Sequence, residues 1–135
     1  MQIGFVGLGR MGGNMVTRIR RDSEHEVVAF DFDAKAVAQA TKHGASGATT
    51  LKDLVKQLEP PRTVWIMVPA GEATQSTVVA LAKLLSPDDA IVDGGNSRWT
   101  DDKLRSHRLP AEIVRLDGDP AAALRELHAR IKEML

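Results

Sequence analysis

Residues 1–15 read MQIGFVGLGRMGGNM, an apolar run that breaks into glycines at Gly7, Gly9, Gly12 and Gly13 and then resumes with helix-forming residues. A glycine-rich turn reverses a chain tightly, or it brings bare backbone amides to a phosphate; the flanking sequence decides which. Here the glycines follow a strand-like segment, Ile3 to Val6, and open a segment in which Met11, Met15 and Ile19 recur at helical spacing. A second strand-like run follows and ends in FDFD, with Asp31 nineteen positions beyond Gly12.

That separation is close to the one at which an acid after the second strand meets an adenosine ribose. In this reading Gly7 permits the tight turn, Gly9 lets backbone approach a pyrophosphate, and Gly12 lets helix and strand pack closely. The amides at the helix start supply the anion site. A carboxylate at Asp31 accepts hydrogen bonds from both ribose hydroxyls of NAD and repels the 2′-phosphate of NADP. Phe32 adds no positive charge, so NAD is the expected cofactor. Asp33, directly before Ala34, reads as a helix cap. Arg10 has two readings, a contact to the cofactor pyrophosphate or adenosine, or a solvated side chain.

The same alternation continues along the chain. Ile3 to Val6, Glu26 to Phe30, Thr63 to Val68, Ala90 to Val92 and Ile113 to Leu116 read as strands. Met11 to Arg21, Ala34 to Lys42, Leu51 to Leu58, Glu72 to Leu85, Trp99 to Arg108 and Pro120 to Leu135 read as helices. VWIMV, residues 64–68, shows no apolar–polar alternation, which implies burial on both faces. The expected fold is α/β, a Rossmann-type doubly wound, mostly parallel sheet with helices on both faces. Pro60 and Pro61, and Ser86 to Asp89, read as turns within this pattern. GASGATT, residues 44–50, holds either a short third strand near Ala48 or a loop.

A length of 135 residues suits one domain, taken as a single NAD-binding unit over 1–135. Lys+Arg and Asp+Glu both number 18, and this balance argues against a nucleic-acid or anionic membrane surface as partner. The absence of cysteine excludes disulfides and thiolate chemistry. His25, His43, His107 and His128 lack ligand spacing, so no metal is expected and all four read as surface residues. No signal peptide or membrane-length apolar run occurs, which makes a cytoplasmic location the default.

Two more segments fall at expected strand ends, where open α/β sheets bind ligands. They are MVPAGEATQS, Met67 to Ser76, and DGGNSRWTDD, Asp93 to Asp102. Pro69 stiffens the first loop, and Ala70 with Gly71 keeps it thin enough for a flat ring. Gly94 and Gly95 would bring backbone close to a ligand, and the Asn96 amide suits a nicotinamide carboxamide or a substrate hydroxyl. Ser97 or Thr100 would cap the next helix.

GLGRMGGNM, MVPAGEAT and IVDGGNS, in this order, resemble the cofactor domain of 6-phosphogluconate dehydrogenase within the β-hydroxyacid dehydrogenase superfamily. The resemblance covers about Met1 to Leu109. It is to the NAD-preferring branch, since MVPAGE replaces a lysine-containing loop and FDFD an Asn-Arg pair of the NADP enzymes. It implies that Gly7, Leu8, Gly9, Arg10, Met11, Asp31, Val68, Pro69, Ala70 and Asn96 contact cofactor, with Asn96 also facing the sugar acid. The implied reaction is hydride transfer from 6-phosphogluconate to NAD, with decarboxylation to ribulose 5-phosphate in the pentose phosphate pathway.

Residues 110–135 depart from that family. No Ser-Gly-Gly loop occurs and no lysine follows a double glycine, so the family's base and substrate domain are missing. The chain reads as a truncated or engineered domain that binds cofactor and does not turn over substrate alone. Asp119 and Pro120 open an expected closing helix whose Leu124, Leu127 and Ile131 form one apolar stripe. That stripe is expected to dock on the sheet or to make a homodimer, the alternative being an unpacked tail. The competing readings are an oxidoreductase complemented by a catalytic domain or partner chain, which would bring 6-phosphogluconate to Asn96, and a nucleotide-sensing regulatory module like those of potassium-transport regulators.

Overall fold

Apolar runs bounded by turns become the strands of one parallel sheet. The computed structural model describes residues 1–95 and the backbone of residues 112–115. Asn96, the cap candidates Ser97 and Thr100, the expected helices over 99–108 and 120–135, His107 and His128 lie outside the described residues. In chain order the elements are β1 (Gln2–Val6), α1 (Arg10–Asp22), β2 (Glu26–Phe30), α2 (Ala34–Lys42), β3 (Ser46–Gly47), α3 (Leu51–Gln57), β4 (Thr63–Ile66), α4 (Glu72–Ala82), β5 (Ala90–Asp93) and β6 (Glu112–Arg115).

The strands lie in the order β3-β2-β1-β4-β5-β6, and every pairing is parallel. The chain winds outward through β1, β2 and β3. It then returns through α3 to place β4 on the other side of β1. Right-handed crossovers in opposite directions put their helices on opposite faces, so α1 and α2 share one face while α3 and α4 cover the other. Strand side chains alternate accordingly. Ile3, Phe5, Val27, Ala29, Trp65 and Val92 pack with Leu8, Val16 and Ala40, and the Phe5 and Trp65 rings stack at 6.2 Å and 6°. Val6, Val28, Phe30, Val64, Ile66 and Ile91 pack with Leu54, Leu58, Val78 and Leu81. The fold is thus the expected doubly wound α/β sheet.

Several boundaries differ from the sequence reading, each for a local reason. β4 stops at Ile66 rather than Val68 because the chain there bends over Gly7, although the Met67 amide still donates to the Val6 carbonyl (2.7 Å). α4 ends at Ala82, and Leu84 and Leu85 both donate to the Leu81 carbonyl in a closing turn. GASGATT does hold a strand, two residues long, in which Ser46 and Gly47 pair with Val28 and Ala29. In α1, Met11 is 68% exposed and not part of the buried stripe; Gly12 and Val16 are the buried positions, flanked by half-buried Met15 and Ile19. His43 is exposed, whereas His25 is half-buried, its Nδ1 lying 3.0 Å from the Met1 amino group.

The helix starts follow simple chemistry. Asp33 caps α2 by accepting from the Lys35 amide (2.9 Å). Thr50 caps α3 by accepting from the Asp53 amide (3.0 Å), and Asp53 reciprocates by accepting from the Thr49 amide (2.9 Å). That backbone bond first, then the Gln57 side chain, holds the Asp53 carboxyl below its ordinary value. At the base of the sheet, Asp89 is 1% exposed and accepts from the Arg62 amide (2.6 Å), Arg62 Nη1 (3.2 Å) and the Ser86 amide (2.8 Å). Arg62 Nε donates to the carbonyls of Val55 (3.1 Å) and Leu58 (3.2 Å), so one ion pair ties α3, β4 and the turn before β5. Among the described residues no helix is long and apolar enough to cross a membrane.

Candidate functional site

The carboxyl ends of β1, β4 and β5 meet where the winding direction reverses, the position at which open α/β sheets form a crevice. Gly7 turns the chain out of β1 with φ 95°, a conformation that side chains rarely adopt, and its amide donates to the Phe30 carbonyl (3.0 Å). A Cβ there would lie 2.5 Å from the Met67 carbonyl oxygen. A Cβ on Gly12 would strike the Gly7 carbonyl oxygen, so only glycine lets α1 sit this close to the loop. Gly9 is different. Nothing lies within 4 Å of the Cβ it lacks, and as N-cap of α1 it offers no side-chain acceptor to the first-turn amides.

Asp31, at the end of β2, is fastened to this loop. Its Oδ2 accepts from the Leu8 amide (2.7 Å) and its Oδ1 from the Asp33 amide (2.8 Å). Among the described residues no lysine or arginine forms an ion pair with it. Phe32 beside it is 87% exposed, its ring held edge-on to Phe30 at 5.4 Å and 71°. Arg10 is exposed at the first position of α1 and also borders a cleft of about 350 Å³ between α1 and α2, with Asn14, Thr17, Gln39 and His43.

The β4 exit passes through half-buried Val68 to exposed Pro69 and Ala70, and Gly71 turns into α4 with φ 93°. Thr74, buried in the first turn of α4, donates to the Pro69 carbonyl (2.9 Å) and fixes that loop. At the β5 exit the Gly94 amide donates to the Ile66 carbonyl (2.9 Å) and the Gly95 amide to Asp93 Oδ1 (3.0 Å). A Cβ on Gly94 would collide with the Trp65 indole nitrogen, so this glycine is required by the protein's own packing before any ligand is considered.

Residues 2–120 match the family model of the NAD binding domain of 6-phosphogluconate dehydrogenase. The chain belongs to that family. It is 44% identical over 125 residues to the NAD(+)-dependent, decarboxylating 6-phosphogluconate dehydrogenase of Haloferax volcanii, covering 91% of this chain and 42% of that one. Against the decarboxylating 6-phosphogluconate dehydrogenase of Ceratitis capitata it is 37% identical over 117 residues, covering 83% of this chain and 24% of the relative. The chain therefore spans well under half the length of these relatives. The fold superposes on Plasmodium falciparum 6-phosphogluconate dehydrogenase with a TM-score of 0.77 at 23% identity, over 91% of this chain and 28% of that one. Mycobacterium tuberculosis 3-hydroxyisobutyrate dehydrogenase gives a TM-score of 0.72 at 23% identity, over 84% and 38%. The family match runs to residue 120, past Leu109, where the motif resemblance ends.

As a 6-phosphogluconate dehydrogenase NAD-binding domain, the crevice has features that fit a dinucleotide. Gly9 leaves open space before an uncapped helix start, which suits a pyrophosphate. Each Asp31 oxygen accepts one backbone hydrogen bond and keeps a second lone pair for a hydroxyl. The Leu8 amide and Asp31 are joined by a hydrogen bond next to Gly7, Val68 is half-buried, and Gly9, Arg10, Met11, Pro69 and Ala70 are exposed around them. Sequence reasoning missed the Asp31–Leu8 bond, which joins residues 23 apart, and the Thr74 clamp on Pro69. A hydroxyl five residues after a proline gives no signal of its own.

Proposed function

We propose that this chain binds NAD in preference to NADP across the carboxyl ends of β1, β2, β4 and β5. The pyrophosphate meets the glycine loop and the start of α1, and the adenosine ribose hydroxyls donate to Asp31. Gly7, Leu8, Gly9, Arg10, Met11 and Gly12 line the phosphate side, and Val68, Pro69 and Ala70 the opposite wall. The observation that carries the preference is the Asp31 carboxylate, unpaired with any described cation and followed by the exposed, uncharged Phe32. A 2′-phosphate brought beside that carboxylate meets like charge, worth on the order of 4 kcal/mol per charge pair at 4 Å near a protein surface.

The reaction this domain serves is the NAD-linked oxidation and decarboxylation of 6-phosphogluconate, with Asn96 placed toward cofactor and sugar acid. Support comes from family membership and from the 44% identity to the NAD(+)-dependent Haloferax volcanii enzyme. Residues 1–135 hold the cofactor but do not orient and deprotonate the substrate unaided, because general-base action needs groups these residues do not supply. Calorimetric titration with NAD, NADP and 6-phosphogluconate tests the reading. NAD should bind about tenfold or more tightly than NADP, and equal affinities would refute the preference.

A further inference from the structure

We infer that Asp31 is also a positioning residue that sets the glycine loop in its phosphate-receiving shape before any cofactor arrives. The inference rests on the reading above for where the pyrophosphate sits, but its physical basis is separate. Leu8 stands between Gly7 and Gly9, two residues whose backbone freedom makes a single loop conformation entropically expensive. The Leu8 side chain is buried under α1 and α2, which anchors one side of the residue. Its amide is anchored on the other side by Asp31 Oδ2 at 2.7 Å, a hydrogen bond strengthened by the carboxylate charge. The Asp33 amide, at 2.8 Å from Oδ1, keeps the carboxylate from turning away.

The remaining tethers act at the loop's two ends, from the Gly7 amide to Phe30 and from the Gly13 amide to Gly9. Between them the Asp31–Leu8 bond links the loop to β2. Cofactor choice and loop order thus share one side chain. A substitution that removes the carboxylate to admit a 2′-phosphate also removes the bond that shapes the pyrophosphate site. In Asp31→Asn one of the two positions facing backbone amides becomes an NH₂ group, which has no lone pair for a donor, so half of the arrangement is lost.

The test uses a ligand without ribose, so that hydrogen bonding to hydroxyls plays no part. The ¹⁵N-labelled chain and its Asp31→Ala and Asp31→Asn variants are titrated with inorganic pyrophosphate, following the amide signals of Gly7, Leu8, Gly9 and Gly12. Hydrogen exchange of the Leu8 amide is measured in the absence of ligand. The inference gives a result opposite in sign to electrostatics alone. Deleting a negative charge near an anion site should by itself tighten pyrophosphate binding; a loosened loop should weaken it, by about threefold or more in Asp31→Ala. Leu8 exchange should accelerate at least tenfold, with Asp31→Asn intermediate in both measurements. Tighter or unchanged pyrophosphate binding, or unchanged Leu8 exchange, would overturn the inference. Should Asp31→Ala fail to fold, the Asp31→Asn comparison decides. Failure of the unsubstituted chain to bind either pyrophosphate or NAD would instead refute the proposed site, while the Leu8 exchange would still decide the positioning role.

Discussion

Gly9 and Gly12 look alike in the sequence and do different work, and two alanine substitutions separate them. A methyl group on Gly12 runs into the Gly7 carbonyl, so Gly12→Ala should cost about 1–3 kcal/mol of stability as α1 is forced outward. A methyl group on Gly9 points into open space, and φ −60° suits alanine, so Gly9→Ala should change stability by less than about 0.5 kcal/mol. It should nonetheless weaken NAD binding about tenfold or more, because the methyl group occupies the room proposed for the pyrophosphate. Thermal denaturation and calorimetric titration of both variants check the contrast. Equal stability losses would mean that both glycines serve packing alone. At this scale the sequence was a good guide to Gly12, confined by the nearby Gly7 carbonyl, and to the turn at Gly7, although the Met67 carbonyl that also confines Gly7 belongs to the β4 exit. Gly94 was read as approaching a ligand, but its constraint is the Trp65 ring on an adjacent strand, and such spatial neighbours leave no trace in local spacing.

The elements divide between those set by their own residues and those set by contacts far along the chain. The cap of α3 is local, and Thr50→Ala should cost about 1 kcal/mol in chemical denaturation. Asp53 gives that cap a pH dependence. Its carboxyl is held below the ordinary value in the folded chain, so its contribution is present above the unfolded pKa and lost as pH falls through the folded one. Denaturation at descending pH should show a shallower acid decline for Asp53→Asn than for the unsubstituted chain; identical slopes would contradict this role. The Arg62–Asp89 tie is non-local. The sequence reading took Asp89 as part of an ordinary turn, because nothing in SPDD marks one aspartate as buried against an arginine 27 residues earlier. Asp89→Ala leaves Arg62 without its partner and should cost about 3–5 kcal/mol. β1, β2 and β5 were legible because burial on both faces leaves mostly apolar residues, with Gln2, Glu26 and Asp93 only at strand ends. The two-residue β3 was not, since its ladder bonds come from β2.

Across the whole molecule, the order β3-β2-β1-β4-β5-β6 puts the winding reversal between β1 and β4, directly beneath the glycine loop and the β4 exit. Repeated β–α alternation and largely apolar strands sufficed to expect this architecture, since few topologies satisfy right-handed crossovers in a parallel sheet. The chain covers 42% of the Haloferax volcanii relative, and residues 1–135 alone should form no NADH from NAD and 6-phosphogluconate when followed at 340 nm. Steady formation abolished by Asn96→Ala would show that a residue among 1–135 serves as the base. The central claim is that Asp31 selects the cofactor. Its most direct test is the ratio of NADP to NAD dissociation constants, measured by calorimetry for the unsubstituted chain and for Asp31→Asn combined with Phe32→Arg. The ratio should be about ten or more in the first and fall at least tenfold in the second, as a repelling charge leaves and a phosphate partner arrives. A ratio near one in the unsubstituted chain, or one that the double substitution leaves unchanged, would contradict the account.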